Sequence, residues 1–434
     1  MTLAHPSHGI PDIRSAVEDQ RRFAEGFFDE LAAISTDPAG GITRDTYGAG
    51  ENRGHEVMRR AADADGFAVT VDAAGNTYAR WPQIAGAPDV IMGSHLDSVP
   101  RGGNFDGAAG PLAALVAMRA LRAIGAVPRV TLCAMGIRAE ESVWFQTSYI
   151  GSRAALGTLP RDTYDTARRI DTGRTLADHM AECGCDVDAL RQGARALDPA
   201  AIAAYVEVHI EQAPSLLRGG KPLGICTAVP GNFRYPDLRI VGVHGHVGTP
   251  RRFRNDAAMA GARLAMEMDR VWSDSEAAGK PMGVTFGRFH TDAGFHGLTT
   301  VPGLFHLSVD VRAYDPDTLA GAEAAFLAII ARIEAEHGVR VDLGARKSAP
   351  VGLADADIRG ALHAAAKAVD VDAVDLGSPA SHDAAAFAAA GVPMAMLFVR
   401  NANGSHNPDE AMEIDDFMEG CAVLTRWLYD TYCR

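Results

Sequence analysis

Five short motifs, each just beyond an apolar run, constrain this chain more than any other feature. Gly93-Ser94-His95-Leu96-Asp97 follows Asp89-Val90-Ile91-Met92, and Asn104-Phe105-Asp106-Gly107 comes shortly after. The adjacent pair Glu140-Glu141 follows the run from Arg129 to Met135. Glu207-Val208-His209-Ile210-Glu211-Gln212 continues the run from Ala203, and Gly404-Ser405-His406-Asn407-Pro408 lies beyond Val392 to Val399. Short apolar runs bounded by glycine and polar residues read as buried strands. Open α/β sheets gather functional groups at the carboxyl ends of their strands, because the loops converge on that edge. Histidines and acids arriving there together make ligands for divalent cations. One carboxylate of the glutamate pair is then spare and can shuttle a proton.

The remaining patterns frame a fold. A helix from about Gly110 to Ile124 separates the strands at Asp89 and Arg129, a β-α-β unit that calls for a parallel or mixed sheet covered by helices. Val17, Phe23, Phe27, Leu31 and Ile34 fit one helix face, and Phe67, Val69 and Val71 alternate as a strand that turns through Asp72–Asn76 into Thr77–Arg80. The middle differs. Strands at 239–244, 283–289, 305–311 and 339–343, with helices at 256–271 and around Leu319–Ile333, follow the β-α-β-β-α-β order of a ferredoxin-like domain. The expected fold is therefore α/β: a mixed-sheet catalytic domain over 1–229 and 348–434, interrupted by a ferredoxin-like α+β domain over 230–347.

Composition narrows the partners. The 434 residues carry a formal charge of −14, which argues against nucleic acid or an anionic membrane. The longest apolar stretch, Leu112 to Val127, contains Arg119 and Arg122 and is too short to span a bilayer. The opening Met1-Thr2-Leu3-Ala4-His5-Pro6 has no basic start with an apolar core, so no signal peptide is expected. Six scattered cysteines show no zinc-ribbon or disulfide spacing; Cys183-Gly184-Cys185 reads as a turn with two thiols, and a reducing, cytoplasmic location follows.

Taken singly, each candidate has an ordinary reading. His95 alone is a loop or core histidine; Asp97 beside it supplies a carboxylate able to hold the imidazole tautomer. Asp106 among glycines serves equally as a turn residue or as a bridge between two cations. Glu140 and Glu141 side by side repel at a buried strand end unless a cation sits there.

Together the motifs resemble those of the dinuclear-metal amidohydrolases that include N-carbamoyl-L-amino-acid hydrolase, allantoate amidohydrolase, ureidoglycolate amidohydrolase and β-ureidopropionase, relatives of zinc aminoacylases and carboxypeptidases. The resemblance runs from about residue 20 to 430. It rests on G-S-H-L-D-S-V-P-x-G-G-x-F-D-G at 93–107, E-E with G-S-R-A at 151–154, H-I-E-Q at 209–212 and S-H-N-P-D-E at 405–410. It implies two divalent ions, zinc, manganese, cobalt or nickel. One would be held by His95, Asp106 and His209, the other by Asp106, Glu141 and His406. Glu140 becomes the general base and Gln212 faces the substrate. His246 aligns with the histidine that stabilises the tetrahedral oxyanion at the dimer partner's site, and Arg312 with the arginine that grips the substrate carboxylate. The inserted domain becomes a lid and dimerisation domain, so a homodimer is implied.

The sequence departs from the family around the substrate. Ser142-Val143-Trp144 replaces the usual Gly-Ser-Arg or Gly-Ala-Arg, Ala213 replaces glycine, Thr299 stands where a lid asparagine is usual, and the Gly248-Thr249-Pro250 loop is one residue short. Trp144 either walls the pocket or packs under the loop. The expected activity is hydrolysis of a linear, non-peptide C–N bond in a carbamoyl or ureido substrate bearing a carboxylate. The rivals are an N-acyl-amino-acid hydrolase or dipeptidase on the same metals, and a catalytically silent ligand-binding homologue.

Overall fold

The computed structural model describes residues 12–433. The opening Met1–Pro6, on which the signal-peptide expectation rests, lies outside them. Chain contacts divide the protein into two compact units, Ala228–Leu353 and the remainder.

The larger unit is built on an eight-stranded sheet. In spatial order its strands are Ala68–Val71, Thr77–Trp81, Thr131–Ile137, Asp89–His95, Ile202–Ile210, Met394–Val399, Leu223–Cys226 and Ala373–Leu376. The strands from Thr131, Asp89, Ile202 and Met394 are neighbours and run parallel. Their carboxyl ends therefore share one edge. All four are buried almost throughout, as apolar runs without alternation require. Helix Ala109–Ala123 is buried nearly all round, which explains its apolar composition without a membrane. Among the described residues no helix is long and apolar enough to cross a membrane.

Two local readings change. The helical pattern from Val17 to Ile34 is two helices, Ile13–Glu18 and Arg21–Ser35. The pattern survives the break because Val17, Phe27 and Leu31 bury into the same core. Strands Asp89–His95 and Ile202–Ile210 also run further than expected, so His95 and His209 are strand residues, not loop residues.

The inserted unit has strands in the order Met282–Thr285, Leu304–Ala313, Gly231–Val241 and Arg340–Asp342, all antiparallel. Strand Leu304–Ala313 alternates buried and half-buried residues along its whole length. Helices Ala257–Ala277 and Pro316–His337 complete the β-α-β-β-α-β order. Asp256 and Asp315 cap their first turns, Pro316 occupies the first helical position, and Gly338 ends the second helix at φ +61°. Phe233, Ile240, Leu264, Val309, Phe326 and Ile330 form a core separate from that of the larger unit; each such burial stabilises by about 1.5–3 kcal/mol. The expected strand 239–244 is instead Gly231–Val241, its first half hidden in sequence by Asn232, Arg234 and Asp237. The expected strand 283–289 is two pieces, Met282–Thr285 and Phe289–Thr291, both paired with Leu304–Ala313. A two-residue ladder, Ala228–Val229 with Gly352–Leu353, joins the two ends of the unit.

Candidate metal centre

The shared edge of the parallel strands brings the candidate side chains of the larger unit together. His95, Asp106 and His209 place one ligand atom each within 4.8 Å of one another, and all three are buried. Asp106, Glu141 and His406 do the same, with His406 at the exposed rim. Asp106 belongs to both groups. Glu140 is buried beside Glu141, and Gln212 donates to Asp106 Oδ2 at 2.7 Å.

The imidazoles are set by their far nitrogens. His95 Nδ1 lies 3.1 Å from the Asp97 carbonyl and His209 Nδ1 2.9 Å from the Ile210 carbonyl. Each Nδ1 therefore carries the proton, and each Nε2 presents a lone pair. The two Nε2 atoms are 3.4 Å apart and lie 3.4 and 3.2 Å from Asp106 Oδ1. Asp106 Oδ1 is buried and has no hydrogen-bond partner. The Gly107 N–H reaches His209 Nε2 at 3.2 Å, and Asp106 Oδ1 is left without a donor; two imidazole nitrogens and a carboxylate oxygen converging in this way suit a divalent cation. Gly107 makes this approach possible: a Cβ on it would lie 2.4 Å from the His95 ring.

The electrostatics agree. Burial disfavours a charge on His95, yet the carboxylates of Asp106, Asp97 and Glu140 around it lift it well above the usual imidazole range, so this position draws positive charge, whether a proton or a cation. Burial raises the carboxyls of Glu140 and Glu141 well above theirs; Glu141 adds to the rise at Glu140, and Asp106 to that at Glu141. So dense a group of acids takes up positive charge.

Asp97 organises this edge. It accepts the backbone N–H of Glu140 at Oδ1 (3.1 Å) and that of Glu141 at Oδ2 (3.2 Å), and the Thr46 hydroxyl donates to Oδ2. Ala139, Gln212 and His406 all adopt φ near +60° without being glycine. Such left-handed residues concentrate where neighbours over-determine a site.

Several supporting residues were not read from sequence. Glu410 accepts the N–H groups of Phe105 and Asp106, and Ser405 Oγ lies within hydrogen-bond distance of both Glu410 and Asp106, its one hydroxyl proton shared between them. Buried Arg44 donates to the carbonyls of Leu96, Asn104 and Asp106. His382 belongs to a third buried group with Glu207 and His209. Glu207 is already bonded to Ser94 Oγ, Tyr205 Oη and the Ala384 N–H, so it buttresses the centre from behind. Ser381-His382-Asp383 lies beyond strand Ala373–Leu376 and satisfies the same strand-end rule that singled out His95. Trp144 is buried, donates to the Ser98 carbonyl and carries Arg169 4.7 Å above its ring, so it packs under the loop.

His246, Thr299 and Arg312 belong to the inserted unit. His246 and Thr299 are exposed on adjoining segments, where Thr300 pairs with His246 and the Val247 N–H donates to the Thr299 carbonyl. Arg312 forms a bidentate pair with Asp310, which Arg234 also approaches at 2.6 Å.

Comparisons with known proteins agree with this geometry. Residues 91–430 match the model of peptidase family M20/M25/M40. An N-carbamoyl-L-amino acid amidohydrolase of Geobacillus stearothermophilus is 33% identical over 408 residues, covering 93% of this chain and 95% of the relative. The allantoate amidohydrolase of Escherichia coli is 29% identical, covering 92% and 95%. A solved hydantoinase/carbamoylase family amidase from Burkholderia ambifaria superposes with a TM-score of 0.79 at 30% identity, covering 94% and 96%. The protein is an amidohydrolase belonging to the metal-dependent peptidase family M20/M25/M40, on its carbamoylase and allantoate amidohydrolase side.

Proposed function

We propose that this enzyme hydrolyses the carbamoyl or ureido C–N bond of a small substrate bearing a carboxylate, of the N-carbamoyl amino acid or allantoate type, with two divalent ions. The carrying observation is the pair of ligand groups sharing Asp106, with Glu140 as a spare carboxylate beside them. His95, Asp106 and His209 would hold one ion, and Asp106, Glu141 and His406 the other; zinc, manganese, cobalt and nickel all suit this donor set. When bound, the ions lower the pKa of the attacking water and polarise the carbonyl.

Glu140 takes the proton of that water and returns it to the leaving nitrogen. Its burial supports this role, since a carboxyl lifted from its usual range exchanges protons nearer neutrality. Water adds to the carbonyl carbon and the C–N bond breaks. A carbamoyl substrate ends as amino acid, ammonia and carbon dioxide. Asp97 fixes His95 and the backbone of the glutamate pair. His246 donates to the developing oxyanion. Arg312 grips the substrate carboxylate, its plane set by Asp310, with Arg234 leaving that neighbourhood net positive. Gln212 and Thr299 contact the rest of the substrate.

The enzyme acts as a homodimer in a reducing, cytoplasmic setting. Val243, Val247, Phe253, Met259, Phe295 and Leu298 expose apolar side chains on the inserted unit, surface that a partner copy would cover. Ammonia release from N-carbamoyl and ureido acids, set against amine release from N-acetyl amino acids with manganese supplied, tests the substrate class. Turnover of acetyl substrates alone would overturn it.

A further inference from the structure

The backbone that delivers Glu140 and Glu141 is held from two sides. Asp97 holds the far side. On the near side lies an ion pair that the chemistry above does not use. Glu51, in the first turn of helix Ala49–Ala64, is fully buried, and Arg138 is 3% exposed. Glu51 Oε2 accepts from Arg138 Nη1 at 3.0 Å and from the Tyr47 N–H at 2.6 Å. Glu51 Oε1 accepts the N–H of Ala139 at 2.8 Å. Arg138 is anchored in turn: its Nε donates to the Gly75 carbonyl, its N–H to Asn76 Oδ1, and its carbonyl accepts from Gly151.

Ala139 lies between this pair and Glu140, at φ +58°. Alanine resists the left-handed region because its Cβ crowds the following carbonyl. Something must therefore impose the turn: the Glu51 carboxylate takes the Ala139 N–H, while the Ile150 N–H takes its carbonyl, and of the two the Glu51 contact is the side-chain one.

We propose that the buried Glu51–Arg138 pair is a positioning device: it imposes the left-handed turn at Ala139 and so sets where the Glu140 carboxyl and the Glu141 ligand lie. The inference rests on the reading of Glu140 as the proton carrier. Glu51 and Arg138 are positioning residues, not catalytic ones.

The test compares Glu51→Gln, the double variant Glu51→Leu/Arg138→Met, and Arg138→Lys. Readouts are metal content, thermal midpoint, kcat and KM on a substrate the wild type turns over, and the visible spectrum of the cobalt(II)-loaded protein. Glu51→Gln keeps its metal, loses ten- to a hundredfold in kcat, holds KM within about twofold and shifts the cobalt bands, because Glu141 moves. The double variant melts below wild type, because the Tyr47 and Ala139 N–H groups lose their acceptor, but assayed well under that midpoint it keeps its metal, holds KM and is equally slow, with shifted cobalt bands, which a purely structural pair would not produce. Arg138→Lys, keeping the charge, retains most of kcat. If Glu51→Gln does not fold, Glu51→Asp carries the same expectation.

Wild-type kcat in Glu51→Gln or in the double variant overturns the proposal, as does metal loss in proportion to lost activity. If Glu140→Gln itself turns over normally, the reading of Glu140 fails, and the cobalt spectrum still decides whether the pair places Glu141.

Discussion

The candidate residues of the larger unit and those of the inserted unit are held in opposite ways. His95 and His209 are buried, with each ring fixed by a backbone carbonyl, and Asp106 is bonded by Ser405 and Gln212. His246 and Thr299 are exposed, and His246 Nδ1 accepts the N–H of Gly248 in its own loop. Ligand positions demand fixed geometry and obtain it from the sheet. Of the proposed substrate contacts, His246, Thr299 and Arg312 sit on the inserted unit and Gln212 on the larger one; the departures read from the sequence fall in both, at Thr299 and the Gly248 loop and at Ser142–Trp144 and Ala213.

The sharpest test of this contrast is at Asp106. Asp106→Ala loses both metal equivalents and turnover falls to background, as it does with a chelator; elemental analysis and restoration by manganese check this. One retained equivalent would break the shared-ligand reading. Glu140→Gln keeps both equivalents while kcat falls about 10³-fold, within the usual range for a lost proton shuttle. His246→Ala lowers kcat by about 10²-fold with unchanged metal content, and thermal denaturation shows a near-native midpoint because the side chain is exposed. Arg312→Lys raises KM about tenfold for a carboxylate substrate and leaves a carboxamide analogue unaffected, since lysine cannot reproduce the bidentate grip. The smallest effect belongs to Trp144→Phe. Removing its hydrogen bond to Ser98 costs about 1 kcal/mol in chemical denaturation, with KM little changed because the ring packs beneath the loop.

The metal-ligand candidates were legible because few residue types can hold a cation and because strand ends mark where they must appear. The sheet was legible for the same reason: its central strands are apolar on both faces. Glu410 was in view within S-H-N-P-D-E, yet its bonds to Phe105 and Asp106 join segments some three hundred positions apart, and no local pattern announces such a pairing. Arg44 lies in a polar stretch whose burial depends entirely on what surrounds it. His382-Asp383 was missed for want of recognising Ala373–Leu376, a short edge strand only partly buried, as a strand at all. Strand Gly231–Val241 was half missed because its polar residues point away from a one-sided core.

The two-residue ladder between Ala228–Val229 and Gly352–Leu353 has a consequence for ancestry. The inserted unit leaves and re-enters its host through neighbouring points, and it carries its own apolar core. Such a module can be exchanged, lengthened or trimmed without re-threading the host. A lineage can therefore exchange the whole module, with His246, Thr299 and Arg312 on it, and leave the candidate metal ligands of the host where they are.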